Sequence, residues 1–293
     1  MILVTGANGN FGKTTIQTLL NLGVDREKIT GLVRDRSKAG GLEDMGVGVR
    51  IGDYNDYDSL LTAFQGTKKL LFVSGNDLPN RTRQHENVVK AAIKAGVKHI
   101  IYTSFERRNE TESSPIFLVS QAHLKTEKMI KASKIPYTIM RNNLYMEGLP
   151  MFLGKSVLES GIIFPAGDSK AAYALRREMA EAAALILTGK GHENMEYYLS
   201  NSEAVSFGDI ARILSEIVDR TISYTSPGIQ VFSDAMSKAG MSADAIGFFT
   251  SFAEGVRQEE FLPPRSDLEK ILGRKPTSVR EFLISIYGHG QTR

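Results

Sequence analysis

The chain has 293 residues, with 36 lysines and arginines against 33 aspartates and glutamates, a net charge of +3 and 42% hydrophobic residues. These proportions exclude collagen, coiled coil and intrinsic disorder, and a charge of +3 spread over the whole length leaves no nucleic-acid footprint. Cysteine is absent, which excludes a disulfide framework, a thiolate nucleophile and a thiolate metal site, and the longest apolar run, 182–187, is far short of the ~20 residues a bilayer helix needs.

Residues 2–4 form a short apolar run that ends in a glycine-rich turn, and Phe11, Ile16, Leu19, Leu20 and Leu22 then recur at helical spacing. Further apolar runs at 29–33 and 47–51 read as strands. Asp56 stands where a helix cap belongs, ahead of Leu60, Leu61 and Phe64. The run 70–73 precedes a helical pattern over 81–95, the run 100–103 precedes one over 122–132, and 137–140 is a further run. Short continuous apolar runs suit strands buried on both faces, and their alternation with helices predicts a parallel sheet covered on both sides. Gly23, Gly66 and Gly96 fall at predicted helix ends, where a left-handed cap favours glycine.

Beyond about residue 145 strands become rare, at 162–164, 197–199 and 222–224, while helical stretches cover 177–188, 207–218, 228–239 and 267–272. The predicted fold is α/β: a Rossmann-type doubly wound parallel sheet over residues 1–150, with a smaller, mostly helical C-terminal substrate subdomain over 151–293. The strand near 196–200 is expected to return to the main sheet. The opening Met1-Ile2-Leu3-Val4 carries no basic stretch and no cleavage site, so a cytoplasmic protein is expected.

The segment Thr5-Gly6-Ala7-Asn8-Gly9-Asn10-Phe11-Gly12 directly follows the first strand and opens the first helix. Its spacing is that of a dinucleotide-binding turn. Gly6 permits the tight turn, Gly9 lets the backbone approach a diphosphate, and Gly12 lets helix and strand pack closely. Asn8, Asn10 and Phe11 complete the loop, and the helix amides then face the diphosphate. A plain strand–helix turn is the bland alternative. The stretch from Ala7 to Thr14 also lies one residue from a P-loop, which would bind ATP with Mg²⁺. That reading needs an acid at the end of a buried strand; Asp53 is the nearest, through Gly52, so Lys13 and Thr14 read better as first-turn helix residues.

After the second strand, where an acid would take the ribose of NAD(H), stands Arg34, followed by Asp35, Arg36 and Lys38. Arg34 and Lys38 suit the extra phosphate of NADP(H), which is favoured over NAD(H); Asp35 would oppose that phosphate if it pointed inward. A solvated charged loop is the alternative. Asp53 and Tyr54, after the third strand, would lie near the adenine.

In its ordered motifs the chain resembles the NmrA-like group of atypical short-chain dehydrogenases/reductases, and within it the quinone-reductase and triphenylmethane-reductase branch. The resemblance rests on Val4 to Gly12, then Val33-Arg34, Gln84-His85-Glu86-Asn87-Val88 and Gly96 to Ser104. It continues through His123-Leu124-Lys125-Thr126-Glu127, Pro136 to Asn142, Pro165 to Asp168 and Arg177 to Ala180. The wider superfamily uses Tyr-x-x-x-Lys, yet none of the 10 tyrosines here has lysine four residues on. Placing residues 119–133 on the family pattern puts Val119 at the tyrosine position and His123 at the lysine position.

A valine cannot transfer a proton, so sugar-nucleotide epimerase chemistry is disfavoured, and the resemblance implies an NADPH-dependent reductase of a quinone-like or dye-like aromatic acceptor. The alternative it carries is a non-catalytic, NADP-binding redox sensor. His123 is the candidate proton donor, with a backbone-bonded helix histidine as the alternative. Ser104 is a candidate donor to a carbonyl oxygen, beside Thr103 as a cofactor contact. Ser74 and Gly75 would line the dinucleotide path, and Asn142, Asn143 and Tyr145 would meet nicotinamide or acceptor. His85, His99, His192 and His289 show no metal-ligand spacing, so no catalytic metal is expected. A homodimer is the expected assembly.

Overall fold

Residues 1–288 are described by the computed structural model; His289 lies outside them. The predicted apolar runs become β1 (Ile2–Val4), β2 (Ile29–Val33), β3 (Gly48–Ile51), β4 (Lys69–Phe72), β5 (His99–Phe105) and β6 (Tyr137–Asn142). The helices between them are α1 (Asn10–Asn21), α2 (Gly40–Glu43), α3 (Tyr57–Ala63), α4 (Arg81–Lys94) and α5 (Phe117–Ala132). Asp56 caps α3 by accepting the Asp58 and Ser59 amides, each at 3.1 Å. Gly23, Gly66 and Gly96 take φ of +79°, +72° and +70° just past α1, α3 and α4, as left-handed caps do.

Later come α6 (Leu149–Leu153), α7 (Val157–Ser160), β7 (Ile162–Ile163), α8 (Arg176–Thr188), β8 (Met195–Leu199) and α9 (Phe207–Val218). They are followed by β9 (Tyr224–Thr225), α10 (Ile229–Lys238), α11 (Ala243–Arg257), α12 (Leu268–Leu272) and α13 (Val279–Tyr287). The main sheet runs β3-β2-β1-β4-β5-β6-β8, every pair parallel. Strand order reverses at β1, between β2 and β4, and in such sheets ligands bind at that point beyond the carboxyl ends of the strands. One face is covered by α1 and α8 through Phe11, Ile16, Leu19, Met179 and Ile186. The other is covered by α3, α4 and α5 through Leu60, Val88, Ala92 and Ile130.

The expected return of the strand near 196–200 is β8, which pairs with β6 from Met195 to Leu199. The C-terminal half also gives α8 to the sheet, so the sequence boundary at 150 is not a boundary of the packing. The C-terminal core in turn draws Ile116, Leu144, Met146 and Leu149 from before it. The strand expected at 222–224 is found at Tyr224–Thr225 and pairs with β7 in a small parallel sheet of its own.

Two expected strand ends were too short. β5 runs on through Ser104 and Phe105, and β6 through Arg141 and Asn142, as one paired ladder whose polar residues hide it from an apolar-run reading. Helix α11 was not foreseen, because Gly247 and Gly255 weaken its helical signal. Gly255 has a packing reason. A Cβ there would lie 2.9 Å from Ile116 and from Phe261. Gly255→Ala is therefore expected to cost about 1–3 kcal/mol by overpacking, read as a lower urea midpoint at unchanged slope.

Candidate functional site

The turn after β1 is built by contacts that leave no room for side chains. Gly6 has φ +58°, and the Gly9 amide bonds its carbonyl at 2.9 Å. A Cβ on Gly12 would stand 2.5 Å from the Gly6 oxygen and 2.9 Å from Ala7 Cα, so α1 meets the turn backbone to backbone. Gly9 caps α1 without a side chain, and the first turn carries no acid. The leading amides and the positive dipole end of the helix are thus left for an anion. Lys13, exposed on α1, is not part of the cleft lining, unlike the lysine of a P-loop.

A cleft of about 820 Å³ opens from this turn across the carboxyl ends of β2, β3 and β4. Among the expected residues it is lined by Gly6, Asn8, Gly9, Arg34, Lys38, Asp53, Tyr54, Ser74 and Gly75. Asn10, Phe11 and Gly12 stand behind it in the first turn of α1. Arg34 is exposed and, among the described residues, forms no ion pair, whereas Arg36 is turned to Glu43 at 3.3 Å. Asp35, the residue that opposed a phosphate here, accepts the Ser37 amide at 2.9 Å and caps the turn that follows. That backbone bond holds its carboxyl below the usual range, so Asp35 stays anionic, and it lines the cleft between Arg34 and Lys38.

Tyr54 is pinned at the cleft floor, its hydroxyl 2.8 Å from the Val73 carbonyl and within reach of Thr5 Oγ1; burial pushes its pKa up. Asp53 accepts the Asn55 amide at 2.8 Å. Ser74 donates its amide to Thr103 Oγ1 at 2.9 Å, so Thr103 supports the cleft floor from below. Gly75 donates its amide to His85 Nε2 at 3.0 Å. Asn55, Asn76, Asp77 and Gln84 also line the cleft and were missed; extending each strand-end reading by one or two residues would have found the first three.

The candidates for proton transfer lie elsewhere. His123 is buried, with Nδ1 2.7 Å from the Tyr102 hydroxyl and Nε2 3.3 Å from Arg81 Nη1. A guanidinium only donates, so Nε2 must accept and Nδ1 carries the proton. Burial and the Arg81 charge hold its pKa well below 6.5. This neutral ring, with both nitrogens engaged, does not fit the expected role of proton donor to substrate. His85 is held the same way: Nε2 accepts from Gly75, Nδ1 donates to Thr126 Oγ1 at 2.8 Å, and burial lowers its pKa to about 3.

Ser104 does not fit its expected role either. Its hydroxyl donates to the Glu127 carboxylate, which also holds Arg107 through two bonds and Arg141 at 3.1 Å. Burial opposes a charge on Glu127, yet the Arg107 and Arg141 guanidiniums and Ser104 hold its pKa low. Close by, Glu106 is buried and its pKa is pushed up to about 8, with Oε2 unpartnered among the described residues.

At the end of β6 the side chains converge differently. Asn142 Nδ2 donates to the Tyr145 hydroxyl at 3.3 Å, while its buried Oδ1 has no partner among the described residues. Arg176 lies over the Tyr145 ring at 4.5 Å. Asn143 is buried and bonds the Phe261 carbonyl at 3.0 Å, so it ties β6 to the C-terminal half. An uncapped helix start and a glycine cradle that any Cβ would fill fit the diphosphate of a dinucleotide in the cleft beside Arg34, while Asn142, Asn143 and Tyr145 lie outside that cleft's lining.

The NmrA-like family profile matches residues 1–283. The chain belongs to the NmrA-like family. Quinone oxidoreductase 2 of Escherichia coli K12 is 33% identical over 288 residues, covering 98% of this chain and 99% of that protein. Among solved structures, the E. coli NADPH-dependent quinone oxidoreductase in complex with NADPH aligns with a TM-score of 0.89 at 32% identity, covering 98% of this chain and 100% of that one. Citrobacter sp. triphenylmethane reductase with NADP(H) aligns at 0.87 and 36%, covering 97% and 99%. Each matches the NmrA-like chain along nearly its whole length, sheet and C-terminal half together.

The buried histidines set an acid sensitivity. Burial lowers the pKa of His85 to about 3 and of His99 to about 4 from 6.5, and His123 follows them down. The unfolded chain therefore binds protons that the folded chain refuses, and stability falls as the pH drops through 6.5 towards these values. Glu106, raised from 4.5 to about 8, acts in the opposite sense above 4.5, but three histidines outweigh one carboxyl, so denaturation midpoints across that window are expected to fall and His85→Gln to flatten the slope. An unchanged slope in His85→Gln would remove His85 from this account.

Proposed function

We propose that this chain is an NADPH-dependent reductase that passes a hydride to a quinone-like or dye-like aromatic acceptor. One observation carries the proposal: where the superfamily keeps its proton-transfer pair, this chain has Val119 and a His123 held neutral with both nitrogens bonded. An acceptor that takes a hydride without protein-borne protonation fits such a site. A quinone yields a hydroquinone anion that water protonates afterwards, and a cationic dye carbon needs no proton.

Bound NADPH supplies the hydride; the protein supplies binding and alignment. The glycine turn and the leading amides of α1 hold the diphosphate, with Asn8 and Asn10 beside it. Arg34 and Lys38 take the 2′-phosphate against the charge of Asp35, which lines the same cleft with one carboxylate oxygen bonded to the Ser37 amide. Asp53 and Tyr54 stand at the adenosine end, and Ser74 and Gly75 along the middle with Thr103 beneath. Asn142 offers its free carbonyl oxygen to an amide donor, and Asn143 and Tyr145 shape the acceptor end. Holding a flat acceptor at reacting distance is a proximity effect, which accounts for large accelerations without acid–base help.

The proposal is supported by the relatives named above, one a quinone reductase and one a triphenylmethane reductase. It extends to a cytoplasmic location and a homodimer, to be read by fractionation and light scattering; no helix among the described residues is long and apolar enough to cross a membrane.

Purified chain is expected to consume NADPH absorbance with a benzoquinone or naphthoquinone. NADPH binding with no rate above buffer across a panel of such acceptors would replace this reading by the redox sensor. Arg34→Ala is expected to weaken NADPH by about tenfold or more, the worth of a charge-assisted phosphate contact, and to leave NADH nearly unchanged. Equal weakening of both would take Arg34 off the 2′-phosphate.

A further inference from the structure

The chain between β5 and α5 leaves the sheet directly after Ser104 and Phe105, beside the end of β6. Its position is fixed from the far end of the sequence. The amides of Arg108 and Asn109 both donate to Glu260 Oε2, at 2.9 and 2.8 Å, and Ser114 Oγ donates to Glu260 Oε1 at 2.8 Å. Glu260 is 2% exposed. A buried carboxylate is costly unless its oxygens are bonded; here both are, and two of the three donors are peptide amides of one short loop.

The residues on either side reinforce this latch. Glu259 has φ +58°, a left-handed conformation rare for a residue with a side chain, and such strain persists where the surroundings over-determine it. Its carboxylate pairs with Arg108 at 2.9 Å. On the other side, the Phe261 carbonyl accepts from Asn143 at the end of β6, and the Phe261 ring packs 5.8 Å from Phe105 at the end of β5. A further tie joins Ser251 of α11 to the Pro115 carbonyl at 2.6 Å. The segment after α11 is thus fastened to the carboxyl ends of β5 and β6.

We propose that Glu260 is a positioning residue, latching the 106–116 loop so that it forms a fixed wall on the acceptor side of the site. This rests on the reductase reading, since it is the aromatic acceptor that the wall would hold. Glu260 lies far from the glycine turn in sequence and fastens a loop that takes no part in the dinucleotide cleft lining. Its loss should therefore separate the two substrates.

The test compares Glu260→Ala and Glu260→Gln in the full chain, with KM for a simple naphthoquinone, KM for NADPH and hydrogen exchange at residues 108 and 109. Glu260→Ala is expected to raise the quinone KM roughly tenfold, since a misplaced wall loses contact with the bound acceptor, while NADPH KM stays within about twofold. Exchange at 108 and 109 should quicken. Glu260→Gln should restore both readouts, because one amide oxygen can accept both peptide donors and the amide nitrogen can donate to Ser114. Should Glu260→Ala fail to fold, Ser114→Ala, which removes one of the three bonds, should shift the quinone KM in the same direction by less.

A quinone KM within about twofold of wild type in Glu260→Ala, or a parallel shift of both constants, would overturn the latch. A wild-type chain that oxidises no NADPH refutes the reductase reading instead. The quinone dissociation constants of wild type and Glu260→Ala loaded with NADP⁺, measured by calorimetry, then decide the latch alone.

Discussion

The contact between Gly12 and the Gly6–Ala7 backbone governs what the rest of the molecule can do. It sets the distance of α1 from the end of β1, and through α1 the seat of α8, whose Ala180 carbonyl lies 3.2 Å from the Thr15 hydroxyl. Because the contact is made by main chain, the helix start arrives with its amides unspent and with no side chain between them and a ligand. The same closeness explains Thr5, which takes the Val73 amide at 2.9 Å and so ties the end of β4 to the turn. The cleft is therefore a consequence of how β1, α1 and β4 close on one another.

Around that constraint, polarity has been reorganised. Two imidazoles, a phenol and a guanidinium occupy the space between α4, β5 and α5, and each imidazole is locked in one tautomer by a donor that cannot accept: the Gly75 amide for His85 and Arg81 for His123. Locked neutral rings stiffen a support well, but they leave nothing to exchange with a substrate near neutral pH. On the same strand, Ser104 is absorbed into the Glu127–Arg107–Arg141 ion cluster, which joins β5, α5 and β6. Breaking a buried cluster of this kind by removing one partner is costly, so its residues are committed to structure. Hydride chemistry that asks no proton of the protein is what such a site can still support.

Much of this was legible in the sequence, and the exceptions share a cause. The apolar runs marked the strands, the glycines marked the turn and the helix caps, and Arg34, Asp53, Ser74 and Gly75 followed from the rule that ligands gather beyond strand ends. What the pattern could not carry was the direction of polar side chains. Ser104, at the end of β5, and His123, on α5, face inward, because Glu127 and Arg81 offer them partners. Asp35 does line the cleft, and what the sequence did not show is that one of its oxygens caps the turn at Ser37. Periodicity reports which face is apolar; it is silent on which buried polar group finds which partner.

The C-terminal half shows why such partners matter to the fold's use. Were residues 151–293 a separate unit, the wall opposite the nucleotide would be set by a hinge. Instead β8 extends the sheet, α8 lies along α1, and Phe261 and Glu260 reach back to β6 and to the loop after β5. Each tie crosses residue 150, so the nucleotide cleft and the loop after β5 are held in one packed frame. An enzyme that relies on alignment alone gains most from that arrangement, since any looseness between the halves would be felt as lost proximity, with no acid or base to compensate for it.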